Sequence, residues 1–201
     1  MLTSVRWTLT VAALAIAVPA TAQDVEPRNT PGLPAPLQAI DDVLTGGLLN
    51  DPTSLQWDGY GANLSKEIVQ DESYPGGGAA VRVTMARAGE VHAGGINVPL
   101  LAPVENGERV TVGFFGRAIS SGAADGMGKV QVRFQQNAEP YPGFGETMVN
   151  LKPEWDFYEV STVANRDIAR NGIVALQFGT AAQTVEIGQT IVVSGTATVV
   201  D

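Results

Sequence analysis

Val130-Gln131-Val132-Arg133-Phe134-Gln135 alternates apolar and polar side chains without a break. Side chains of a strand point to opposite faces in turn. This period of two therefore puts Val130, Val132 and Phe134 on one face and Gln131, Arg133, Gln135 and Asn137 on the other. An apolar face meets a core and a polar face meets water, as in an antiparallel sheet covered on one side. The pattern recurs outward in both directions. Ala79 to Ala86 alternates, and so do Val110, Val112 and Phe114 against Thr111, Gly113 and Phe115. Downstream, Thr147 to Leu151 and Phe157 to Val163 read as strands. Val174, Leu176 and Phe178 alternate with Ala175 and Gln177, and Thr184 to Thr198 supplies one or two closing strands. Turn signals at Asn106-Gly107 and Pro140-Tyr141-Pro142-Gly143 separate them.

The earlier part of the chain continues the pattern. Glu67 to Gln70 and Gly95 to Val98 are short strands, and Trp57-Asp58-Gly59-Tyr60-Gly61 is an aromatic loop. Asp42 to Asn50 reads as a first strand broken by Gly46-Gly47, and Leu37 to Leu44 is the weak helical candidate. Regular short strands without helical crossovers predict an all-β chain whose antiparallel sheets form a sandwich or barrel.

Residues 1–22 have the three parts of a secretory signal: Arg6, an apolar run from Thr8 to Val18, and the small-x-small site Ala20-Thr21-Ala22. The apolar run is shorter than the roughly 20 residues that span a bilayer. Gln23 to Ala39, with Pro27, Pro31, Pro34 and Pro36, reads as a proline-rich linker. Residues 40–201 form the predicted folded domain, secreted or periplasmic and not membrane-inserted once the signal is cleaved.

The segment removed carries Arg6 and no acid, so the formal charge of the 201-residue chain moves from −9 to −10. Such a surface, with no Lys/Arg cluster, disfavours nucleic acid and anionic lipid. Neutral ligands suit it best. The chain has no cysteine, which excludes disulfides and thiolate chemistry. His92 is its one histidine, which excludes a His-pair metal site and reads as a loop residue. No Gly-x-Ser-x-Gly elbow is present. Carboxylates are plentiful, but no pair is visibly arranged for glycoside hydrolysis. The sequence therefore predicts no catalysis.

From Gly76 onward the order of elements resembles the jelly-roll carbohydrate-binding modules attached to bacterial cellulases and xylanases, which belong to the galactose-binding-domain-like sandwiches. The residues that carry the resemblance are Gly77-Gly78-Ala79-Ala80-Val81-Arg82-Val83, Asn106 to Ala118, Val130 to Gln135, the Leu151 to Tyr158 turn with Trp155, and the pair Ile173 to Gly179 and Val185 to Val193. The resemblance covers most of residues 43–195. It implies a jelly-roll sandwich that binds a glycan in a groove on one sheet, and it makes Trp155 a turn residue packed into the sandwich. Family members often hold a structural calcium. Here the family's late Asp gives way to Glu186-Ile187-Gly188-Gln189-Thr190, and its early Phe-Glu to Leu48-Leu49. Both changes argue against calcium, although Glu186 or Asp51 offers a substitute oxygen ligand. No other cofactor is implied.

Sugars are held by aromatic faces and planar polar groups. Arg133 and Gln135 share a non-core face, Gln177 has the same parity in a later strand, and Arg117 has it in an earlier one. If these strands share a sheet they form a polar strip, with Trp57, Tyr60 and Tyr141 in loops at its rim. The alternative is a structural or protein-interaction sandwich of the periplasm or envelope with a degenerate groove and a protein partner that the sequence does not identify. Mass spectrometry of the exported protein is expected to find Gln23 at its N-terminus. A mature chain beginning earlier would contradict the signal assignment.

Overall fold

The computed structural model describes residues 30–199; the signal sequence and the first part of the linker segment lie outside the described residues. Ten strands follow one helix: α1 (Ala35–Val43), β1 (Asp58–Tyr60), β2 (Leu64–Gln70), β3 (Ala79–Met85), β4 (Gly95–Pro99), β5 (Arg109–Ser121), β6 (Gly128–Gln136), β7 (Gly143–Leu151), β8 (Asp156–Val163), β9 (Gly172–Gln177) and β10 (Gln183–Ser194). They form two five-stranded antiparallel sheets. The first has the order β1-β4-β9-β6-β7 and the second β2-β3-β10-β5-β8. The all-β antiparallel fold expected from the alternation is observed, and of sandwich and barrel it is the sandwich that the resemblance implied. Among the described residues no helix is long and apolar enough to cross a membrane.

The parity reading places the core correctly. Val130, Val132 and Phe134 of β6 and Val174 and Leu176 of β9, with Phe178 just beyond, point inward from the first sheet. They meet Val81 and Val83 of β3, Val110, Val112 and Phe114 of β5, and Val185 and Ile187 of β10. Phe134 stacks nearly parallel on Phe144, centroids 5.5 Å apart. Burying each of these large side chains contributes about 1.5–3 kcal/mol.

Four expectations are corrected, two at the N-terminal end of the domain and two at tryptophans. The stretch read as a broken first strand is instead the end of α1, a turn, and one bridging residue, Leu48, opposite Val193. Pro34 and Pro36, read as linker residues, sit at the N-terminus of α1, where a missing amide hydrogen costs no helical bond. Asp41 then ties the helix down. Its carboxylate, itself buried, accepts from the Leu48 amide at 2.7 Å and the Thr30 amide at 3.3 Å. Leu33, Leu48 and Val193 pack together beneath it.

Trp57 is not a rim residue. It is 2% exposed and belongs to the main core. It lies three residues before Tyr60, so the two side chains leave the extended chain on opposite faces. Trp155, conversely, lies outside the main core. It lies half-buried against the outer face of the second sheet, its ring 5.2 Å from that of Tyr74 and 4.9 Å from the guanidinium carbon of Arg117. Chemical denaturation is expected to show Trp57→Ala costing about 3–5 kcal/mol. Trp155→Ala should cost clearly less. The reverse ranking would mean that Trp155 is the core residue.

Candidate functional site

The groove lies on the face of the first sheet that points away from the core. Register builds it in rows. Tyr60 on β1 stands opposite Gly95 on β4, and Gly95 opposite Gln177 on β9. In the next row Asn97 on β4 faces Ala175 on β9, which faces Arg133 on β6. In the third, Ile173 of β9 faces Gln135 of β6, which faces Gly143 of β7. Long polar side chains thus stand around small ones. The result is a depression of about 460 Å³ lined by Tyr60, His92, Asn97, Arg133, Gln135, Asn137, Pro140, Tyr141 and Gln177.

Gly95 explains how Tyr60, on an edge strand, reaches the middle of the sheet. A Cβ at 95 would stand 2.7 Å from the Tyr60 hydroxyl and 2.8 Å from the Leu176 carbonyl. With glycine there, the phenol crosses β4 and accepts a hydrogen bond from Gln177 Nε2 at 3.1 Å. Gln177 thus occupies an acceptor position of the phenol and leaves its O–H free to donate into the groove. Burial pushes the Tyr60 phenol above its ordinary pKa, with the Gln177 bond and the charge of Arg133 pulling the other way. The group stays protonated, and a donor, throughout the neutral range.

Across the groove Arg133 makes three bonds. Nε donates to Glu146 Oε1 at 2.9 Å, Nη1 to Gln135 Oε1 at 3.0 Å and Nη2 to the Tyr141 carbonyl at 3.1 Å. The ion pair with Glu146 offsets its charge locally. Tyr141 forms a lip and is 44% exposed. Asn97 Oδ1 is buried and has no hydrogen-bond partner among the described residues. An unmade bond at such a group costs about 1–3 kcal/mol.

Five of the seven expected site residues come together here: Tyr60, Arg133, Gln135, Tyr141 and Gln177. Trp57 is in the core, and Arg117 is on the other sheet. Parity assigned Arg117 its face correctly, but β5 hydrogen-bonds to β10 and β8, not to β6. There it donates from Nε to Glu186 Oε2 at 2.7 Å, while Nε and Nη2 of Arg82 reach Glu186 Oε1 at 3.0 and 2.7 Å. Glu186 has no exposed surface, and two guanidiniums hold its charge. Such a carboxylate does not fit a calcium site, because a dication would sit against two cations. Asp51 is no better placed, since its Oδ1 accepts from the backbone and hydroxyl of Thr53 at 2.9 and 2.6 Å. Among the described residues no three His, Cys, Asp or Glu side chains converge.

Sequence reasoning missed Asn97 and left His92 as a loop residue. Asn97 was within reach, because it alternates with the core residues Ile96 and Val98 just as Arg133 alternates with Val132 and Phe134. His92 enters from the short 3-10 turn Val91–Ala93 at the groove mouth, and no spacing signals that. A second depression of about 160 Å³, beside α1, is lined by Leu37, Ile40, Leu48, Pro52, Phe115, Phe157, Ile191 and Gln189. With one polar side chain it lacks the groups to orient hydroxyls.

No protein-family model matches the chain, and no curated protein matches it. Solved structures do. A domain described as a family 4 carbohydrate-binding module is 17% identical with a TM-score of 0.54, covering 69% of this chain and 94% of its own. The first family 22 xylan-binding domain of Xyn10C from Paenibacillus barcinonensis is 11% identical with a TM-score of 0.52, covering 77% and 99%. An arabinose-bound α-L-arabinofuranosidase of family 51 is 14% identical with a TM-score of 0.59; the match covers 78% of this chain but 28% of the enzyme. The fold is therefore that of the carbohydrate-binding-module sandwiches, as the sequence resemblance implied.

Gly95→Ala is expected to cost about 1–3 kcal/mol as an overpacked site. It should also separate Tyr60 from Gln177, lowering the phenol pKa toward its ordinary value as the ring moves into water. Ultraviolet titration of the tyrosines together with a denaturation curve checks both. An unchanged titration would show that Gly95 does not hold Tyr60 in place.

Proposed function

We propose that this is an exported, non-catalytic module that binds a neutral glycan in the groove of the first sheet. The observation that carries the proposal is the lining of that groove. It offers one exposed aromatic ring, Tyr141, and several planar or hydroxylated groups, Tyr60, Asn97, Gln135 and Gln177, around a concave floor. Sugar rings present an apolar face and a fringe of hydroxyls, so they match such a surface. The lining contains no carboxylate, whereas glycoside hydrolysis needs two facing each other. Glu146, beside the groove, is paired with Arg133, and this pairing favours an uncharged ligand. The fold shared with carbohydrate-binding modules supports the same reading.

Gln135 and Gln177 are only 6% and 4% exposed. That observation favours the alternative, a structural or interaction sandwich whose groove is partly filled by its own side chains. Calorimetry separates the two. Oligosaccharides of xylan, β-glucan, mannan and cellulose should include at least one that binds in the micromolar-to-millimolar range, with xylan first because a similar domain is described as xylan-binding. Gln177→Ala should then weaken binding roughly tenfold, the equivalent of about 1.4 kcal/mol. A folded protein that binds none of the four supports the structural alternative.

A further inference from the structure

We infer that Arg133 is a positioning residue that holds the Tyr141 lip in place and acts on the ligand through it. This rests on the groove being the binding site. Three of the guanidinium's five N–H groups are already spent on Glu146, Gln135 and the Tyr141 carbonyl. What these bonds support is unusual. Tyr141 has φ of 55°, and it is the one non-glycine residue with positive φ among the described residues. For a bulky side chain that region is disfavoured, and it persists only where the surroundings hold it. Both ends of the residue are held. Its amide donates to the Ala138 carbonyl at 2.7 Å, and its carbonyl accepts from Arg133. The residue gains little burial in return, being 44% exposed at the groove's edge. A strained backbone that presents an open aromatic face suits a stacking surface better than a packing contact.

Gly143 makes the arrangement sterically feasible. A Cβ there would stand 2.9 Å from Arg133 Nε, 2.7 Å from Gln135 Cβ and 2.4 Å from the Phe134 carbonyl oxygen. Glycine leaves the space through which the arginine lies across to Glu146. Arg133, Gly143 and Glu146 therefore form one support with Tyr141 at its end. Lysine keeps the charge but not the planar fork, so it cannot make the three bonds together.

Amide hydrogen exchange on the ligand-free protein tests the support without reference to any glycan. In Arg133→Gln and Arg133→Lys the Tyr141 amide should exchange at least tenfold faster, while the amides of Val132 and Val174 keep their protection. An unchanged Tyr141 amide overturns the inference. A double-mutant cycle with xylohexaose as the probe then tests the route to the ligand. Arg133→Gln and Tyr141→Ala should each weaken binding, and the double variant should bind no more weakly than Tyr141→Ala alone. Losses that multiply would mean that Arg133 touches the ligand directly, and would overturn it. If exchange rises but xylohexaose binds to neither wild type nor variants, the positioning role stands and the xylan form of the glycan proposal fails.

Discussion

Val132 and Phe134 of β6, Val174 and Leu176 of β9, and Ile96 and Val98 of β4 expose no surface to solvent. Their packing against the second sheet is the constraint on which the groove depends. Because the side-chain period of a strand is two, a slip of one residue would turn each of these groups outward and each groove residue inward. Burial on one face therefore sets the register on the other. Asn97, Ala175 and Arg133 stand in one row because Ile96, Leu176 and Val132 stand together in the core behind the neighbouring row. The groove face needs no separate positioning of its strands.

The second sheet has the same alternation but uses its outer face differently. Arg82 and Arg117, from strands on either side of β10, close on the buried carboxylate of Glu186. The Tyr74 and Trp155 rings cover Arg117, its guanidinium carbon 5.0 and 4.9 Å from their centroids. Removing either arginine would strip charge-assisted hydrogen bonds from a fully buried carboxylate, so the cluster ties three strands together. That face is occupied by the protein itself, which leaves the first sheet as the open one.

Parity within a strand was legible in the sequence, and it yielded the core and the groove residues Arg133, Gln135 and Gln177, while Tyr60 and Tyr141 were legible only as aromatics near turns. Membership of sheets was not, because β6 lies beside β9 nearly forty residues later, and no local pattern encodes that pairing. Arg117 was misplaced for this reason alone. Trp57 was misread because β1 has three residues, too few to display alternation. The helix was legible from Leu37 onward, but its start was masked by Pro34 and Pro36, which sit at its first turn where they do no harm. Gly95 and Gly143 carry no periodic signal either. Their role is the absence of a side chain where Tyr60 and Arg133 must pass.

The central claim is that ligand chemistry resides on one face of one sheet. Chemical-shift mapping by NMR, titrating the labelled protein with a mixture of xylo-, gluco- and manno-oligosaccharides, tests it most directly. The account predicts shifts concentrated at Tyr60, Asn97, Gln135, Tyr141 and Gln177, with the backbone around Arg82, Arg117 and Glu186 unmoved. Shifts centred instead on Tyr74, Arg117 and Trp155 would contradict it.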